Sequence, residues 1–345
     1  MTVPRTPTLA PAPRTDPISS PVGTPVPVTL LTGFLGAGKT TLLNRILNGH
    51  HGLRVGVLVN DFGAINIDAE LVEGVEENTI RLSNGCVCCE IRDDLVNSLE
   101  QLLSRADTID YVILEASGVA DPEGIVMTFL DARYKDLLRI DSITCIVDAE
   151  GIFAHGDNGV LNLLKLRQIG FADMVVLNKT DLVDSQRVEV IREWIDHHIQ
   201  RVRIIEAVRC EVPLEILLAV GRFDPAVTDG HHLGSQRELK HLHEHRTAGH
   251  TFKTWCYESN LPVSLDSLRE LVRRDLPASV FRCKGIVFTK DAPDRRIALQ
   301  VVGRRVEISK LDAWGTRTPR SRIVAIGTSI DAEDLRSKFD RCTDA

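Results

Sequence analysis

Several stretches of this 345-residue chain hold residue types at spacings that can do chemistry. In Gly33-Phe34-Leu35-Gly36-Ala37-Gly38-Lys39-Thr40, glycines at fixed offsets precede a lysine and a hydroxyl. Between a strand and a helix, such a loop turns its backbone N–H groups inward around phosphates, Lys39 reaches the β and γ phosphates, and Thr40 offers a hydroxyl to Mg2+. The expected nucleotide-binding set is Gly33, Phe34, Leu35, Gly36, Ala37, Gly38, Lys39, Thr40 and Thr41, joined by Asn178, Lys179 and Asp181. Glu115 ends the apolar run Tyr111–Leu114 and precedes Ala116-Ser117-Gly118. It stands where folds of this kind place the acid that holds magnesium through water, and Gly118 stands where a backbone N–H senses the γ-phosphate. The predicted catalytic set is therefore Lys39, Thr40, Glu115 and Gly118, with no side chain assigned as general base. In Asn178-Lys179-Thr180-Asp181 the aspartate selects the base. Its carboxylate accepts two hydrogen bonds from guanine N1–H and the N2 amino group, whereas adenine would leave those lone pairs unmatched, so the nucleotide expected is GTP.

Cys86-Val87-Cys88-Cys89 sets three thiols within one turn of chain. A soft cation such as Zn2+ can hold two or three of them at about 2.3 Å. Structural zinc normally closes with four protein ligands, so three thiols without a second pair nearby point to an exchangeable position, as a protein that passes metal onward requires. Disulfide exchange is the rival chemistry, and a buried cluster without chemistry the plain alternative. Thiolates accept zinc, cobalt and iron alike, leaving Co2+ as an alternative cargo. His241, His243 and His245 belong to a run holding six of the eleven histidines, read as a weak secondary metal site or an ordinary solvated loop. Cys145, Cys210, Cys256, Cys283 and Cys342 are scattered singly and read as buried small hydrophobes.

Positioning these groups falls to short, nearly continuous apolar runs at Val28–Leu31, Val55–Val59, Tyr111–Leu114, Ile143–Val147 and Met174–Leu177. Helix-period stretches lie between them at Thr41–Leu47, Asp93–Leu103 and Gln186–Ile199. That order predicts an α/β fold, a doubly wound, mostly parallel sheet covered on both faces, over residues 26–225. The first 27 residues hold eight of the fifteen prolines, so residues 1–25 read as a disordered tail. Residues 226–250 read as a His-rich linker, and residues 251–342 as a smaller α+β domain. A net charge of -7 argues against nucleic acid and anionic membrane as partners. With no secretory signal and no membrane span in the sequence, the expected location is the cytoplasm. Nothing in the sequence sets an oligomeric state.

Taken together, the loop Gly33–Thr40, Asn60-Asp61-Phe62-Gly63, Gly85–Cys89, Glu115–Gly118 and Asn178–Asp181 resemble the CobW-type family of metal-handling GTPases. Weaker signals at Lys284–Phe288 and Arg322–Gly327 extend the resemblance into the second domain. The resemblance implies slow GTP hydrolysis, metal at the Cys motif, and transfer of zinc or cobalt to a client metalloenzyme. Members of the family include activators of nitrile hydratase, servants of cobalamin synthesis and suppliers of zinc. The sequence departs from the usual family pattern at Asp61 and Ala64, where glutamates are commoner, so the role the family's glutamates imply is not carried over to these two positions. Two rival readings are a regulatory GTPase switch with a structural zinc and a small-molecule kinase; the kinase reading leaves Asn178–Asp181 without a purpose.

Overall fold

The structure is a computed structural model, and it describes residues 25–59, 79–81, 109–129, 138–154, 158–200, 202–218, 245–247 and 250–344. The first sheet contains β1 (Val26–Thr32), β2 (Val55–Val59), β3 (Thr79–Arg81), β4 (Tyr111–Glu115), β5 (Leu138–Asp148), β6 (Met174–Asn178) and β7 (Arg203–Glu206). Their order is β3-β2-β4-β1-β5-β6-β7 and every pairing is parallel. Every residue of β2, β4 and β6 is buried, which accounts for apolar runs without polar alternation.

Alternate residues along each strand feed two separate cores, because successive side chains point to opposite faces. Leu30, Val112, Cys145 and Val175 face one core, which is closed by α2 (Pro122–Phe129), α3 (Gly159–Phe171) and α4 (Ser185–His198). Leu31, Ile113, Ile146 and Val176 face the other, closed by Leu42, Leu43 and Ile46 of α1 (Lys39–Leu47) and by α5 (Leu214–Leu217). Strand β1 lies between β4 and β5, so the chain reverses its direction of travel across the sheet there, and a crevice opens at the carboxyl ends of these strands.

The second sheet is antiparallel, ordered β12-β11-β10-β13-β9-β8. It comprises β8 (His245–Thr247), β9 (His250–Ser259), β10 (Val280–Val287), β11 (Arg295–Val302), β12 (Arg305–Ala313) and β13 (Ser321–Thr328). Leu268 of α6 (Leu265–Glu270) and Leu335 and Phe339 of α7 (Ala332–Asp344) cover one face with Trp255 and Tyr257.

This sheet docks on the amino ends of the parallel strands. Arg282 of β10 and Asp141 of β5, 3% and 0% exposed, pair at 2.8 Å. Tyr111 Oη donates to the same carboxylate at 2.8 Å, and Gln300 joins it at 3.2 Å. Burial pushes the Asp141 carboxyl up, but the positive charges of Arg282, then Lys284 and Arg139, outweigh it and leave it well below the ordinary range. Nearby, the Arg305 guanidinium donates to Asp173 at 2.7 Å, and the β11–β12 turn sets Gly303, at φ +55°, directly against the Asp173 carbonyl.

Some elements differ from expectation. Strands β3, β7, β8 and β12 are additional to the apolar runs. β8 falls inside the range read as linker: three polar residues carry no periodic signal, and what makes them a strand is pairing with β9. No residue of β12 is fully buried, so it lacks a continuous apolar run. The helix read at Asp93–Leu103 lies outside the described residues, as do residues 1–24 and 219–244. Among the described residues, no helix is long and apolar enough to cross a membrane.

Candidate nucleotide site

At the carboxyl end of β1 the chain turns through Gly33–Gly38 and enters α1 at Lys39. Gly38 is the N-cap residue at φ +111°, a conformation side chains rarely adopt, and a Cβ there would lie 2.6 Å from Asn178 Nδ2. With no side-chain cap and no acid in the first turn, the helix directs its positive end and its N–H groups at the loop it closes. Lys39 is 7% exposed and its ammonium reaches the Phe34 carbonyl at 3.3 Å, so the lysine folds back over the loop. Leu35 and Thr41 are exposed.

Pairing of β1 with β4 brings the end of β4 beside the loop. Thr40 Oγ1 donates to Glu115 Oε1 at 2.8 Å, uniting the two residues expected to share magnesium, 75 positions apart in sequence. A hydroxyl and a carboxylate at a helix N-terminus are hard oxygen donors of the kind Mg2+ takes, so these residues fit the ion. Gly118 is buried, and its backbone lies against Leu35 of the loop.

The end of β6 completes the arrangement. Asn178, 3% exposed, donates from Nδ2 to the Ala37 carbonyl at 2.9 Å and accepts from the Cys210 N–H at 2.8 Å. One side chain thus ties the phosphate loop, the strand end of β6 and the segment after β7. Lys179 takes φ +62° and its ammonium pairs with Asp148 at 2.7 Å. Thr180 donates from both its N–H and its hydroxyl to the Ala207 carbonyl, leaving Asp181 exposed beside them.

Sequence reading missed Asp148, Ala207 and Cys210. Asp148 sits at the end of β5 directly opposite Asn178 in the β5–β6 register, so a strand-end acid next to the base-reading motif was the available signal. Cys210, at φ +56°, directs its Sγ toward the Gly38 carbonyl at 3.3 Å. Burial raises this thiol to about 12, offset in part by Arg45 and Lys179, so it stays a neutral S–H donor.

Burial also raises the other four described thiols, Cys145 and Cys283 to about 12 and Cys342 to about 11, with Cys256 shifted the same way. Metal needs thiolate, and these raised thiols favour S–H; Cys145, Cys283 and Cys342 are buried as expected, Cys256 is half-buried, and Cys210 works as part of the site. Among the described residues no group of three or more His, Cys, Asp or Glu is placed to hold a metal ion. Cys86, Cys88 and Cys89 lie outside the described residues, as do Asn60–Gly63, His241 and His243; His245 falls in β8.

A parallel sheet with a glycine loop at its switch point, joined to an antiparallel domain at the opposite edge, defines a P-loop nucleotide-binding protein with an appended α+β domain. Residues 27–206 match the family described as CobW/HypB/UreG, nucleotide-binding domain, and residues 252–343 match the cobalamin synthesis protein cobW C-terminal domain. The chain belongs to the CobW/HypB/UreG family. It is 31% identical to the zinc chaperone CobW of Pseudomonas aeruginosa, over 91% of this chain and 90% of that one. A second relative, the zinc-regulated GTPase metalloprotein activator 1 of Dictyostelium discoideum, is 30% identical over 84% of this chain and 68% of its own. The crystal structure of Zn(II)-bound YjiA GTPase from E. coli aligns with 92% of this chain and 99% of its own at TM-score 0.45 and 24% identity.

Proposed function

We propose that the chain is a GTP-hydrolysing metallochaperone that takes up zinc, with cobalt the alternative ion, and passes it to a client metalloprotein. The observation that carries this reading is the tie from Asn178 to the phosphate loop. A carboxylate that reads guanine works only at a fixed offset from the phosphates, and this tie supplies such an offset for Asp181. Lys39 holds the β and γ phosphates, Gly118 meets the γ-phosphate through its N–H, and Thr40 with Glu115 holds Mg2+. The ion, when bound, neutralises charge on the transferring phosphoryl group.

Zinc enters as cargo on Cys86, Cys88 and Cys89, bound as thiolates; relatives described as zinc chaperones support this assignment. His241, His243 and His245 add a loose capture site. Three clustered thiolates call for a reducing compartment, so the protein acts in the cytoplasm. In sequence the Cys motif lies between Asn60–Asp68 and Glu115, so one nucleotide-driven change would bias both the metal and the magnesium site. The test is zinc affinity measured with GDP and with a non-hydrolysable GTP analogue. The expected result is different affinities, lost with GTP binding retained when all three cysteines become serine. Equal affinities remove the coupling, and zinc that fails to exchange within minutes makes the site structural.

A further inference from the structure

Resting on the GTPase reading above, we propose that Gln168 is a positioning residue for the γ-phosphate: it holds the turn Ser117–Ala120 against the phosphate loop so that the turn's backbone N–H groups meet that phosphate. Beyond Glu115 the chain stays attached to β1 through the Ala116 N–H on the Leu31 carbonyl, then turns, closed by the Ala120 N–H on the Ser117 carbonyl at 3.0 Å. Gln168, on α3, is 1% exposed, and its Nε2 donates at 3.1 Å to both the Gly118 and the Ala120 carbonyl. Both N–H donors of one amide are thereby committed to two carbonyls of a single turn.

The direction of these bonds matters. In a trans peptide the carbonyl and the following N–H point opposite ways, so anchoring the Gly118 carbonyl on Gln168 turns the Val119 N–H away from α3. On its own account Gly118 touches the loop: a Cβ there would sit 2.7 Å from the Leu35 nitrogen. The helix that holds the turn is itself registered on the loop. Lys165, one turn earlier on the same face and 5% exposed, donates to the Ile152 carbonyl at 2.5 Å and lies over the Phe34 ring at 5.0 Å. Helix α3 therefore fixes the spacing between phosphate loop and turn from a position outside both.

Because the turn serves only the third phosphate, Gln168 affects GTP and leaves GDP alone. Gln168→Met keeps the shape and removes both donors. Affinity for GDP and for a non-hydrolysable GTP analogue is measured by calorimetry, and kcat separately from KM by phosphate release. The expected result is an analogue affinity about tenfold weaker, GDP affinity unchanged, and kcat lowered with it. Equal losses for the two nucleotides, or none, overturn the proposal. Gln168→Ala supplies a second variant should Gln168→Met not fold; if neither binds GDP, the residue is structural and the proposal fails. Wild-type protein that hydrolyses no GTP would instead sink the GTPase reading, before any variant is compared.

Discussion

The carboxyl and amino edges of the parallel sheet are ends of the same strands. At the carboxyl edge Gly33, Gly36, Gly38, Lys179, Arg209 and Cys210 all take left-handed backbone conformations, and loops hold one another through single hydrogen bonds. At the amino edge Asp141 and Asp173 are paired with arginines of the second sheet, and Phe252, Phe281 and Val302 extend the core around them. A parallel sheet gathers all its carboxyl ends on one side, so shaping a ligand site and anchoring a second domain need not compete for the same residues. Left-handed backbone gathers where the chain must wrap a ligand; the buried charges there, Lys39 and Glu115, are ones a nucleotide and its metal would use, whereas Asp141 and Asp173 at the amino edge already have arginine partners.

This contrast can be broken most forcefully at Asp141. Asp141→Ala leaves Arg282 buried without its carboxylate and should cost about 3–5 kcal/mol in urea unfolding. GDP affinity of the folded protein should not change, and an affinity that falls in step would mean that the edges are not independent. The complementary variant is Gly38→Ala, which forces a Cβ into Asn178 at a positive φ. Strain on the order of 1–3 kcal/mol should displace the loop, weakening GDP binding about tenfold to a hundredfold by calorimetry, while Tm falls by only a few degrees. A large Tm shift with intact affinity would reverse the assignment of roles.

The smallest effect separates the two buried carboxylates by pH. Burial raises Asp173, against the opposing charge of Arg305, whereas Asp141 is held low. A carboxyl whose folded value exceeds its unfolded value of about 3.9 favours the folded state below that pH and loses the contribution as pH rises through its folded value. One held low contributes above about 3.9 and loses the contribution as pH falls through its folded value. The stability of wild type relative to Asp173→Asn should therefore decline as pH rises from about 4 toward neutrality. A flat difference would mean that Arg305 fully offsets the burial.

What the sequence made legible was contiguous: the phosphate loop, Glu115 and Asn178–Asp181 each follow a strand and carry their meaning within a few residues. What it hid depends on strand order. Asp148 meets Lys179, and Gln168 meets Gly118, only because β1 lies between β4 and β5 with β6 beyond. Asp141 and Arg282 are 141 positions apart, and neither belongs to a pattern that announces a partner. Most parallel strands could be read because burial on both faces makes them apolar throughout. β12 and β8 could not, since their pairing is backbone chemistry indifferent to side-chain type.

At Gly303 the amide donates to the Phe281 carbonyl at 2.8 Å while the next amide, of Arg304, donates to Asp173 at 3.1 Å. The hairpin tip thus meets the parallel sheet main chain to main chain, with no clearance for a side chain. Any other residue there becomes a wedge that pries the two sheets apart. The mutual orientation of the domains is in this way recorded in one missing methyl group, and can persist while the side chains around it drift.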